Sequence, residues 1–95
     1  MPGLLIRWTP EAAEDLRIIH EYIGADSPAA AVRTVTTIYD SCEGLLHFPR
    51  KGRVGNTPGT REFALSPLPY ILIYQVTDDA VEILQIRHGA QDWKR

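Results

Sequence analysis

The spacing of apolar residues changes once along this chain, and that change limits what it can fold into. Up to Phe48 they recur every three or four positions; from Arg61 onward they tend to alternate. The first period is that of a helix facing a core, the second that of a strand with one face buried. Ala12, Leu16, Ile19 and Ile23 form one stripe, with Asp15, Arg17 and Glu21 on the other side. Thr9-Pro10-Glu11 is a start signal: the hydroxyl caps free backbone N–H groups, proline suits the first helical position, and glutamate suits the positive end of the dipole. Gly24 is a plausible stop. Asp26-Ser27-Pro28 repeats the start, and Val32, Val35, Ile38, Tyr39, Cys42, Leu45 and Leu46 follow at helical spacing. This second helix should run to about Phe48, since Pro49 forbids simple continuation. The short link makes the two helices an antiparallel hairpin.

Arg50 to Thr60 (RKGRVGNTPGT) is rich in glycine and basic residues and reads as a solvated loop. Strands are expected at Leu4–Trp8, Arg61–Leu65, Tyr70–Val76 and Val81–Arg87, with a turn at Thr77 to Ala80. In the last strand, strict alternation puts Val81, Ile83, Gln85 and Arg87 on one face and Glu82, Leu84, Ile86 and His88 on the other. The short links make the last three strands an antiparallel meander. The expected fold is α+β: a helical hairpin packed on one face of an antiparallel sheet, in the order β-α-α-β-β-β, as one domain over residues 1–95.

Composition narrows the function classes. A net charge of -2 argues against a chain whose main partner is a polyphosphate, which clustered lysine and arginine would serve. The single cysteine, Cys42, excludes an internal disulfide and points to the cytoplasm. The apolar run Leu4-Leu5-Ile6 is too short for a signal peptide or a membrane span. His20, His47 and His88 have no ligand spacing, so neither a metal nor another cofactor is expected. His20-Glu21 opens like a zinc-protease motif, but Gly24 stands where its second histidine belongs. The glycines of Gly52 to Gly59 lack a following Lys-Ser/Thr and lead into a strand, unlike a phosphate loop. Cys42 sits on the apolar side of its helix and behaves there as a small hydrophobe. Glu43 reads as solvent-facing, and Trp8 and Tyr39 as core. Tyr70, Tyr74 and Trp93 suit either a core or a partner contact. Arg61, Arg87 and His88 fall near strand ends; a histidine there can serve as a base or simply end the strand. Arg87 and His88 point to opposite faces of a continuous strand, so one site cannot easily use both.

Several motifs, in order along nearly the whole chain, carry a family resemblance. They are I-R-W-T-P-E-A-A-E-D-L (Ile6 to Leu16), Ile19 with Tyr22-Ile23, L-L-H-F-P-R-K-G-R (Leu45 to Arg53), R-E-F (Arg61 to Phe63), Y-I-L-I-Y-Q-V (Tyr70 to Val76) and I-L-Q-I-R-H-G-A-Q-D-W (Ile83 to Trp93). Together they resemble the RelE/ParE superfamily of toxins from bacterial type II toxin–antitoxin modules, which include plasmid stabilisation proteins. The resemblance implies the fold inferred above, a cytoplasmic protein, and a hetero-oligomeric complex with a cognate antitoxin. The antitoxin would lay a helix or an added strand over the apolar groove between hairpin and sheet, with Leu16, Ile19, Ile23 and Tyr74 as its contacts.

RelE-like members cut mRNA on the ribosome, whereas ParE-like members inhibit DNA gyrase by binding. RelE-like nucleases carry basic residues on the central strands and after the last one. At those positions this chain has Glu62, Ala64, Ile71, Ala90 and Gln91. Other relatives use a C-terminal His-Tyr pair, but His88 is followed by Gly89. The resemblance therefore implies a ParE-like gyrase inhibitor rather than an enzyme. Arg61, Arg87, His88 and Trp93 would touch the target, and His88 with Gly89 would mark the end of the last strand. The alternative is a ribosome-dependent mRNA endonuclease using Arg61, Arg87 and His88; a further one is an inactive or differently targeted member acting only as a binding module.

Overall fold

The computed structural model describes residues 3–89. Its elements are β1 (Leu5–Trp8), α1 (Pro10–Gly24), α2 (Pro28–His47), β2 (Arg53–Val54), β3 (Arg61–Ala64), β4 (Tyr70–Val76) and β5 (Ala80–His88). The two start signals act as expected. Thr9 caps α1 by accepting from the Ala12 N–H at 3.1 Å, and Ser27 caps α2 by accepting from the Ala30 N–H at 3.1 Å. Gly24 is the last residue of α1, and the backbone continues right-handed at Ala25, so glycine ends this helix without a left-handed turn.

The strands form one sheet in the order β1-β5-β4-β3-β2. The meander β3-β4-β5 is antiparallel, but β1 lies parallel to β5, so the sheet is mixed rather than antiparallel. A further two-residue strand, β2, pairs antiparallel with β3 inside the segment expected to be only loop.

Strict alternation also fails in β5. Tyr74 pairs with Ile83 while Ile73 pairs with Gln85, leaving Leu84 as the extra residue of a bulge. The bulge resets the pleat, so Val81, Ile83 and Ile86 all enter the core. Gln85 and Arg87 fall on the opposite, uncovered face, apart from Val81 and Ile83.

The helical hairpin covers one sheet face. Ala12 and Ile19 of α1 and Ile38, Cys42 and Leu45 of α2 meet Leu72, Tyr74, Val81, Ile83 and Ile86 in one cluster. The N-terminal half of α2 differs from the apolar pattern: Ala31 and Thr34 face inward, whereas Val32 is exposed. Ala31 there faces the end of α1, where a Cβ on Gly24 would make an ordinary contact with it at 3.6 Å. Tyr39 is a half-exposed residue rather than a core one, set edge-on to Trp8 with ring centroids 5.5 Å apart.

Side chains from the α1 end join helix to sheet. The Thr9 hydroxyl reaches the carbonyls of Ile83 (3.1 Å) and Leu84 (3.2 Å). Beyond Trp8 the edge of β5 has no strand partner from β1. There the Asp15 carboxylate accepts the Ile86 N–H at 2.9 Å. Among the described residues, no helix is long and apolar enough to cross a membrane.

Candidate functional site

Arg61 begins β3 opposite Tyr74. Its guanidinium Nη1 donates to the Gly52 carbonyl at 2.8 Å and lies 3.5 Å from that of Arg50. Tyr74 is 0% exposed, and its hydroxyl donates to the Pro49 carbonyl at 2.7 Å while accepting the Gly52 N–H at 2.9 Å. Burial raises the phenol's pKa, with the Gly52 bond and the Arg61 charge opposing, so it stays a neutral donor. Gly52 fits because a Cβ there would stand 2.8 Å from both the Glu62 carbonyl and the Tyr74 hydroxyl. Tyr74 and Arg61 thus hold residues 49–52 against the sheet. Tyr74 has no surface of its own to offer an antitoxin and can serve one only by shaping the rim beside it.

Arg87 lies on the uncovered sheet face. Its Nε donates to Gln85 Oε1 at 2.8 Å, and Gln85 Nε2 donates to Glu11 at 2.7 Å. The same face carries Glu62, gripped by Arg53 at 2.7 Å, and Glu82, which accepts from Gln75 at 2.7 Å and Arg7 at 3.2 Å. The Gln75 hydrogen bond and then Arg7 hold the Glu82 carboxyl below its usual pKa. Aliphatic Ile73 and Leu84 lie between these groups and line one groove with Glu11, Glu62, Gln85 and Arg87.

His88 ends β5 opposite Tyr70 and stands edge-on to its ring, with centroids 5.6 Å apart. The three sequence candidates do not converge. Arg61 opens into a groove beside the end of α2, Arg87 into the uncovered face, and His88 into a third groove between α1 and the loop before β4. Trp93 lies outside the described residues.

The helical side presents two apolar grooves. Leu16 lines one with Trp8, Val35 and Tyr39. Ile19 and Ile23 line the other with Ile18, Tyr22, Leu68 and Tyr70. Ile18 and Tyr22 are exposed, and periodicity does not single them out as groove contacts because they sit beside the stripe it selects for burial. Large apolar side chains on the polar side of an amphipathic helix were the available signal.

A family model described as "ParE toxin of type II toxin-antitoxin system, parDE" matches residues 6–93. The chain belongs to the ParE toxin family. This ParE-family chain, a toxin of the RelE/ParE superfamily, is 42% identical to a protein named putative toxin Y4kP from Sinorhizobium fredii, over 93% of this chain and 91% of that one. It is 39% identical to toxin RelE2 of Caulobacter vibrioides, over 88% and 93% respectively. A solved structure titled "Chromosomal ParDE TA system from P. aeruginosa" shares the fold with a TM-score of 0.80 at 27% identity, covering 90% of this chain and 96% of that one.

Proposed function

We propose that this toxin acts by binding, with DNA gyrase as its target, and that a cognate antitoxin neutralises it. The observation that carries this reading is the uncovered sheet face. RNA cleavage there would need cations aimed at phosphate and at the charge developing in the transition state. Instead Glu11, Glu62 and Glu82 stand on this face, each held by an arginine or glutamine, with Ile73 and Leu84 between them. These carboxylates are matched by Arg7, Arg53 and Arg87, so the face offers a phosphate backbone no excess of positive charge. Arg61, Arg87 and His88 open into three different grooves. Target contact is assigned to Arg87 on the uncovered face and to Trp93, with Arg61 shaping the rim of a second groove and His88 lining the groove assigned to the antitoxin.

The antitoxin occupies the two grooves on the helical side. Exposed Ile18 and Tyr22, with half-buried Leu16 and Ile23, offer apolar contacts to an amphipathic helix, whereas Ile19 is buried in the core and only backs the groove. The ribosome-dependent nuclease remains the second reading, because a relative of 39% identity bears the name RelE2.

The test is a supercoiling assay with purified toxin, DNA gyrase, relaxed plasmid and ATP, run beside an mRNA-cleavage assay in a translation extract. Inhibition of supercoiling that antitoxin relieves, without mRNA cuts, is expected. Unimpaired supercoiling with A-site cuts, lost in Arg61→Ala or His88→Ala, would transfer the assignment to the ribosome. Trp93→Ala should weaken gyrase inhibition; unchanged inhibition and unchanged antitoxin affinity would remove Trp93 from both surfaces.

A further inference from the structure

We propose that the groove at the C-terminal end of α2 is a docking site for an acidic protein segment anchored by a bulky apolar side chain. The proposal is independent of the choice between gyrase and ribosome. Three element ends meet there and leave large hydrophobic side chains in solvent: Phe48 after α2 (67% exposed), Val54 at the end of β2 (73%) and Val76 at the end of β4 (41%). Lining one groove together, these three side chains give a bulky apolar group somewhere to seat.

The rim is cationic. Residues 48–61 contain no aspartate or glutamate. Arg50, Lys51 and Arg61 all line the groove, against the single carboxylate of Asp78. Lys51 Nζ also lies 5.1 Å from the Phe63 ring centroid.

The rim is also built before any partner arrives. Tyr74 and Arg61 bind both sides of the Gly52 peptide region, the Lys51 N–H donates to the Phe48 carbonyl at 3.0 Å, and the Gly55 N–H donates to the Thr60 carbonyl at 2.8 Å. A fixed rim lowers the ordering cost of binding.

Charge and apolarity together select the occupant. A nucleic acid would use a long row of cations, whereas this groove offers Arg50 and Lys51 beside an Arg61 tied to the Gly52 carbonyl, and sets them around three apolar side chains. One or two carboxylates satisfy Arg50 and Lys51, and a leucine or aromatic side chain covers Phe48, Val54 and Val76.

The probe is a fluorescein-labelled peptide of alternating aspartate and leucine with a central tryptophan, titrated with the full chain by fluorescence anisotropy. Matched peptides replace aspartate with lysine, or leucine and tryptophan with serine; a single-stranded DNA oligonucleotide is the competitor. The acidic apolar peptide should bind at least about tenfold more tightly than either matched peptide, and more weakly in high salt. Phe48→Ser should weaken it about tenfold. The double variant Arg50→Glu/Lys51→Glu, with its melting temperature checked against the parent, should reverse the preference toward the lysine peptide. Equal affinity for acidic and lysine peptides, displacement by the oligonucleotide at peptide-like concentrations, or a Phe48-dependent dimer in sedimentation would each overturn the assignment.

Discussion

The two faces of the sheet are made by the same strands and do opposite things. Under the hairpin, Leu72, Tyr74, Val81 and Ile83 are fully buried and side-chain shape decides their fit. On the uncovered face, Glu62, Gln75, Glu82 and Gln85 engage neighbours in charged or amide pairs, and Ile73 and Leu84 lie between them. The covered face fixes the fold, whereas the other presents a charge pattern to whatever meets it. The Leu84 bulge lets β5 serve both, since without it Ile83 and Ile86 could not share a face.

Substitutions can break this contrast, and the largest effect should come from the covered face. Ile83→Ala removes a fully buried side chain beneath the hairpin and should cost about 2–5 kcal/mol, read as a shifted denaturant midpoint at constant slope. Tyr74→Phe keeps the ring but leaves the buried Gly52 N–H without its acceptor, a loss of about 1–3 kcal/mol. It should also speed proteolytic cleavage near residues 49–52; unchanged cleavage would show that the rim does not depend on the phenol.

Asp15 sharpens the comparison, because it places a carboxylate at the boundary. Asp15→Ala should cost about 1–3 kcal/mol by stranding the Ile86 N–H. Asp15→Asn keeps an acceptor and removes the charge. Burial raises the Asp15 pKa above its ordinary 3.8, opposed by the Ile86 hydrogen bond. A raised folded-state value favours the protonated fold, so this contribution is full below pH 3.8 and is lost as pH rises through the folded value. Relative to the parent, Asp15→Asn should therefore gain stability from acid to neutral pH; a flat difference in melting temperature would contradict this.

The smallest effect belongs to the uncovered face. Arg53 is 77% exposed, so Arg53→Ala should change stability by less than about 1 kcal/mol in spite of its bond to Glu62. A larger loss by chemical denaturation would mean that this face also supports the fold. Cys42 gives a control for the covered face. Burial pushes its thiol up to about 12, so it should resist thiol reagents in the native protein and react at the rate of unfolding.

Legibility followed the range of the interactions. Thr9-Pro10 and Ser27-Pro28 act through bonds three residues away, and Tyr70–Val76 declares itself by composition, so these elements could be read directly. Tyr74 illustrates the limit. Its residue type suits both a core and a partner contact, and only the position of Pro49 and Gly52, more than twenty residues earlier, makes it a buried staple. Arg61 was singled out for a target, but a backbone carbonyl from the preceding loop takes its guanidinium.

The sequence by itself determined the hairpin, the meander, the capping and the family motifs, because each depends on residue type and spacing along a short stretch of chain. Only the tertiary structure decided that β1 runs parallel to β5, that β5 bulges at Leu84, and that Arg61, Arg87 and His88 open into separate grooves. Strand direction, register and shared surfaces come from contacts between residues far apart in the chain, which no local spacing encodes.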